Sequence, residues 1–171
     1  LFALVLAATL LCNMWIYGAF VIIISLIATL EFFSLAKKGG AKPSLLVGLT
    51  TSMVMVVTSI LVAFEQVEQI VLLEVLGYLI VGIPLAFVAL LFGKHENPIS
   101  SVGTTIATPL YIALPMSLMT LMPLIYDPKG EWNGRVILAY IFIVWANDVF
   151  AYLFGISLGK HKMCPSISPK K

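Results

Sequence analysis

The sequence predicts an all-α protein, a polytopic bundle of about six transmembrane helices. Three observations predict it. Of the 171 residues, 61% are hydrophobic and only 11% are charged, whereas soluble domains run at about 45–50% and about 25%. Mean hydropathy is +1.08. Apolar stretches also recur at the length of about 20 residues that a helix needs to cross the hydrocarbon of a bilayer. These features exclude a soluble globular domain, a disordered segment and a nucleic-acid-binding module. The net charge of +2 says little; the positions of the charges say more.

The elements follow from polar breaks. The apolar run from Leu1 to Leu35 is too long for one span and divides near Cys12-Asn13-Met14. That division leaves a truncated first helix and a full second helix to about Ala36, which Lys37-Lys38-Gly39-Gly40 ends and turns. Further spans are predicted at about 44–64, 70–92, 104–125 and 136–159. The loops are short, so residues 1–171 read as one transmembrane domain. The chain opens on Leu1 without a basic n-region, so no signal peptide is read. With its close on Lys170-Lys171, it reads as a fragment cut at both ends. Cys12 and Cys164 make neither a disulfide framework nor a zinc spacing. Internal repeats and low-complexity segments are not evident.

Basic residues favour the cytoplasmic side of a membrane. If the spans alternate, Lys37, Lys38, Lys42, Lys94, Lys160, Lys162, Lys170 and Lys171 share one face, and only Lys129 and Arg135 fall on the other. The loops after the second, fourth and sixth helices are therefore expected in the cytoplasm, along with the tail. Glu65, Glu68 and Glu74 read as an interfacial acidic half-turn; a cation site there has no other support. Pro84, Pro109, Pro115 and Pro123 read as kinks lining a cavity, since neighbouring helices can satisfy the carbonyls that proline frees.

Asp148 is the most informative residue. It lies mid-span, twelve residues before Lys160, or roughly 18 Å along a helix. A carboxylate at the bilayer centre costs about 2.5–3.5 kcal/mol on insertion scales, so it is expected to face a partner or a watery cavity. Polar glue between helices and a functional acid are both open readings. Asp148, Tyr152, Gly155 and Gly159 form one helical stripe of polar and small residues. Gly155 and Gly159 also fit GxxxG, which mainly reports close packing. Glu31 lies near the same end and reads as a solvated helix terminus. The tail from Gly159 to Lys171 is basic, and lysines with serine hydroxyls suit either anionic lipid heads or bound phosphate. His161 is given no ligand role.

Asp148, Ala151, Tyr152, Gly155, Gly159, Lys160, Lys162, Pro165, Ile167, Ser168, Pro169, Lys170 and Lys171 together resemble the phosphatidate cytidylyltransferases, the CDP-diacylglycerol synthases of bacteria and organelles. The resemblance is dense over residues 148–171, and Glu31-Phe32 is similar to the acidic end of an early family helix. The resemblance implies transfer of CMP from CTP to phosphatidate, giving CDP-diacylglycerol and pyrophosphate, with Mg²⁺ as cofactor. It implies catalytic roles for Asp148 and Lys171 and substrate contacts for Ser168, Lys170, Lys160 and Lys162. Asp148 would either help hold a cation or orient a phosphate-binding lysine. The family's signature, with its metal-binding carboxylates, belongs further downstream and does not occur in these residues. They are expected to form the scaffold and part of a phosphate site, inactive alone. The expected partners are CTP, phosphatidate and the lipid bilayer, with a homodimer suited to the glycine-bearing faces and no nucleic acid. The expected setting is a bacterial inner membrane or an organelle membrane. A secondary transporter with an intramembrane acid is the alternative reading, and a non-enzymatic scaffold is a further one.

Overall fold

In the computed structural model, the described residues are 13–64, 98–126 and 132–158, with scattered positions between 68 and 92. They form α1 (Met14–Lys38), α2 (Leu45–Ala63), α3 (Pro98–Thr108), a π-helical turn (Pro109–Ala113), α4 (Leu114–Tyr126) and α5 (Gly134–Leu158). Four stretches among the described residues are long and apolar enough to cross a membrane: Met14–Lys38, Leu45–Ala63, Ile99–Leu124 and Gly134–Ser157. The partial helix expected before Asn13 lies outside the described residues. So does most of the span expected at 70–92, where the scattered described positions are mainly helical.

α1 begins where the polar break predicts. The Asn13 side chain accepts hydrogen bonds from the backbone N–H groups of Trp15 and Ile16 at 3.0 and 3.3 Å, satisfying two donors that a helix start leaves free. Its other end closes in a Schellman motif. Ala41 N–H donates to the Ala36 carbonyl at 3.0 Å and Gly40 N–H to the Lys37 carbonyl at 3.1 Å. Gly40 takes the left-handed φ of 85° that this closure needs and that side chains disfavour. Lys37 and Lys38 occupy the last turn, where their charge complements the helix dipole. Ser44 then caps α2 through the Val47 N–H at 3.5 Å.

The third long span starts at Ile99, five residues earlier than the expected 104, in a helix that begins at Pro98. Residues 98–103 look too polar for a span, but their neighbours' hydroxyls are absorbed by the helix itself. Thr104, Thr105 and Thr108 donate to the carbonyls of Ser100, Ser101 and Thr104 at 2.7–2.9 Å. The expected distortion at Pro109 takes the form of the π-helical turn. Proline lacks the N–H that would bond the carbonyl one turn back, and its ring crowds that carbonyl; wider winding relieves the clash. Pro123 sits inside α4 and is buried.

α1 and α2 pack antiparallel and closely. A Cβ at Gly18 would lie 3.1 Å from both Ile60 and Phe64, and one at Gly48 would overlap the Phe33 ring. At the far end, Trp132 lies 5.0 Å from Tyr17 and 5.5 Å from Phe64 between ring centroids. At the lysine end, Lys42 N–H donates to Ser101 Oγ at 2.8 Å and Ser44 N–H to Thr105 Oγ1 at 3.0 Å. α2 and α3 therefore start at the same end and run in parallel, and α4 continues toward the tryptophan end.

The distribution of side chains is that of a protein dissolved in lipid. Ser25, Thr29, Ser52, Ser59, Thr108 and Thr120 are buried, while Ile23, Ile27, Leu35, Leu46 and Leu118 are exposed. Apolar side chains gain nothing by leaving hydrocarbon, so the helices associate through small residues that allow close backbone approach. The chain is an all-α membrane protein.

Candidate functional site

The lysine end is built by local sequence. The Schellman closure and the two hydrogen bonds from the 41–44 segment onto α3 fix a turn that carries Lys37, Lys38 and Lys42, all three exposed. Glu31 lies two turns back along α1, also exposed. Ser101 and Thr105, which hold this turn, were not among the residues singled out from the sequence. Their signal is the run of hydroxyls at Ser100, Ser101, Thr104, Thr105 and Thr108, whose helical spacing leaves one row free to face a neighbour.

α5 starts beside Trp132 at the opposite end, and its 25 residues span roughly 37 Å, enough to return toward the lysine end. Its first half packs on α4, with Ile137 fully buried. Its second half differs. From Phe142 to Ser157 every side-chain position is exposed except Trp145, which is half-buried. Asp148 falls in this stretch, ten residues before Leu158, or roughly 15 Å along the axis. It is exposed and makes no hydrogen bond or ion pair among the described residues. Tyr152 and Gly155 share its stripe; Tyr152 is 68% exposed, and a Cβ at Gly155 would meet nothing within 4 Å. The acid is thus displayed on an uncovered helix face, without the partner expected for it among the described residues.

The remaining predicted site residues, Lys160, Lys162, Ser168, Lys170 and Lys171, lie outside the described residues, as do Gly159 and the rest of the tail. Among the described residues, no three His, Cys, Asp or Glu side chains come together as a metal site. Asp148 offers one carboxylate, whereas Mg²⁺ takes near-octahedral oxygen coordination. The described residues alone do not fit such a site. What they offer chemically is a cationic turn at one end and a single acid on an open face leading to the same end.

A phosphatidate cytidylyltransferase of Rickettsia bellii is 33% identical over 87 residues, covering 51% of this chain and 36% of that protein. One from Staphylococcus aureus is 46% identical over 46 residues, covering 27% of this chain and 17% of that protein. One from Staphylococcus saprophyticus is 40% identical over 47 residues, covering 28% and 18%. The matches therefore span about a third or less of the length of these relatives. No solved structure matches the chain. The model of the cytidylyltransferase family matches residues 1–171 throughout. The chain belongs to the cytidylyltransferase family.

Proposed function

We propose that the chain is part of a phosphatidate cytidylyltransferase, which makes CDP-diacylglycerol for phospholipid synthesis. The observation that carries the reading is the family match over the whole chain, joined to relatives named for this activity. The secondary-transporter reading is not favoured by that match. In the proposed reaction a phosphate oxygen of phosphatidate attacks the α-phosphorus of CTP. The new P–O bond forms as the bond to the pyrophosphate oxygen breaks, and pyrophosphate leaves.

Two anions must approach each other, so fixed cationic groups have to offset their repulsion. A soluble nucleotide and a membrane lipid can meet only at headgroup level or in a cavity open to it. The turn carrying Lys37, Lys38 and Lys42 supports a headgroup-level site at that end, which we assign to the cytoplasmic face of a bacterial inner membrane or an organelle membrane. In this reading Ser168, Lys160, Lys162, Lys170 and Lys171 contact substrate phosphates. Asp148 either holds a cation or orients one of those lysines. The proposed cofactor is Mg²⁺, with its further ligands beyond the described residues. A homodimer through the Gly155-bearing face of α5 completes the proposal.

The test is pyrophosphate release by the purified full-length protein in lipid–detergent micelles. Release that requires both CTP and phosphatidate supports the reading. Release from CTP with phosphatidate omitted, or none with both present, contradicts it.

A further inference from the structure

Apart from Ser101, which accepts the Lys42 N–H, the buried serine and threonine hydroxyls among the described residues fall into two sets. Ser59, Thr105, Thr108 and Thr120 each donate to a carbonyl three or four residues back on their own helix, the usual way a membrane helix hides a hydroxyl. Ser25, Thr29, Ser52 and Ser117 do not. All four are within 2% of full burial, and their hydroxyl oxygens have no hydrogen-bond partner among the described residues.

These four are close in level. The contacts of Gly18 with Ile60 and Phe64, and of Gly48 with Phe33, set the antiparallel register of α1 and α2. That register puts Thr29 opposite Ser52 and Ser25 one turn toward the tryptophan end. The bonds from Lys42 to Ser101 and from Ser44 to Thr105 set the parallel register of α2 with α3. Carried through the π-helical turn into α4, it brings Ser117 to about the level of Ser25. Ser25 and Thr29 lie on the buried stripe of α1, and Ser52 lies on that of α2. The hydroxyls without a bond to their own backbones thus lie within about one helical turn of one another in level, on α1, α2 and α4.

An unsatisfied hydroxyl in an apolar interior is strongly unfavourable, and four within about one turn are not sustained by packing alone. We propose that the junction of α1, α2 and α4 is a water-binding site, with water molecules held inside the membrane-spanning bundle by Ser25, Thr29, Ser52 and Ser117. Buried water typically makes about three hydrogen bonds to protein groups, and in the proposal hydroxyls at neighbouring levels of three helices supply them. The site lies apart from Asp148, and it makes no use of the proposed transferase chemistry.

The sign of a substitution tests it. Removing a hydroxyl that binds water strips the water of a partner, so Ser25→Ala, Thr29→Val and Ser52→Ala should each lower the unfolding midpoint of the full-length protein by about 2–4 °C. Removing a dry, orphaned hydroxyl raises the midpoint, and removing one bonded to its own helix leaves it nearly unchanged; either result overturns the proposal. Water-edited solid-state NMR of the wild-type protein in bilayers gives a second reading that needs no variant. Magnetisation transfer from water to Ser25, Thr29 and Ser52, faster than to the neighbouring Val21 and Val56, is expected. Transfer no faster than to those valines would overturn the proposal whatever the stabilities.

Discussion

Replacing Gly48 by alanine tests the close approach of α1 and α2, on which the position of the lysine turn depends. A Cβ at this position would overlap the ring of Phe33. That ring is 2% exposed, and a close-packed interior gives it little room to swing aside. Overpacking of this kind costs about 1–3 kcal/mol. The exchange of glycine for alanine within a helix returns up to about 1 kcal/mol. The net effect is a loss of about 0–3 kcal/mol. Gly103 is the control, because a Cβ there meets nothing within 4 Å. Gly103→Ala keeps the helical gain without the clash. The two variants should therefore differ by about 1–3 kcal/mol, or roughly 2–12 °C in unfolding midpoint for a chain of this size. Thermal unfolding of the full-length protein in detergent, followed by circular dichroism, measures the difference. Phe33→Leu in the Gly48→Ala background should recover part of the loss. Equal shifts at the two glycines would refute the close-packing argument.

Asn13→Ala removes the two capping bonds of α1 and should lower stability by about 1 kcal/mol, read in the same unfolding assay, while Asn13→Ser should be nearly neutral. Gly40→Ala forces a side chain into the left-handed region at φ 85° and should cost about 1–2 kcal/mol; Gly39→Ala, at an ordinary φ of −81°, should cost less, and equal losses would contradict the Schellman assignment. Lys171→Ala in the full-length enzyme should raise the CTP requirement or abolish turnover with the unfolding midpoint unchanged, and normal steady-state kinetics would remove Lys171 from the site.

Much of the helical scaffold is legible in the sequence because its breaks are chemical. Asn13 can cap, and Lys37-Lys38-Gly39-Gly40 can only end a membrane helix, so both ends of α1 follow from residue type. The start of the third long span is less legible. Hydropathy penalises Ser100, Ser101 and Thr104, but a helix can satisfy such hydroxyls with its own carbonyls, and only the three-dimensional bonds reveal it. The inward face of α1 is hidden for a related reason: in a helix apolar all round, the buried stripe is marked by small polar residues such as Ser25 and Thr29. Asp148 stands out in the sequence as a mid-span acid. That its helix face is uncovered among the described residues does not stand out, because sequence spacing reports only contacts along one helix.

Under the proposed function, this family member serves CTP-dependent lipid synthesis. The most direct measurement is incorporation of radiolabelled CTP into lipid by membranes carrying the full-length protein, with phosphatidate and Mg²⁺ supplied. Label in a lipid product is expected, lost when phosphatidate is withheld and strongly reduced in Asp148→Asn. Absence of lipid label from well-expressed full-length protein would contradict the proposed function.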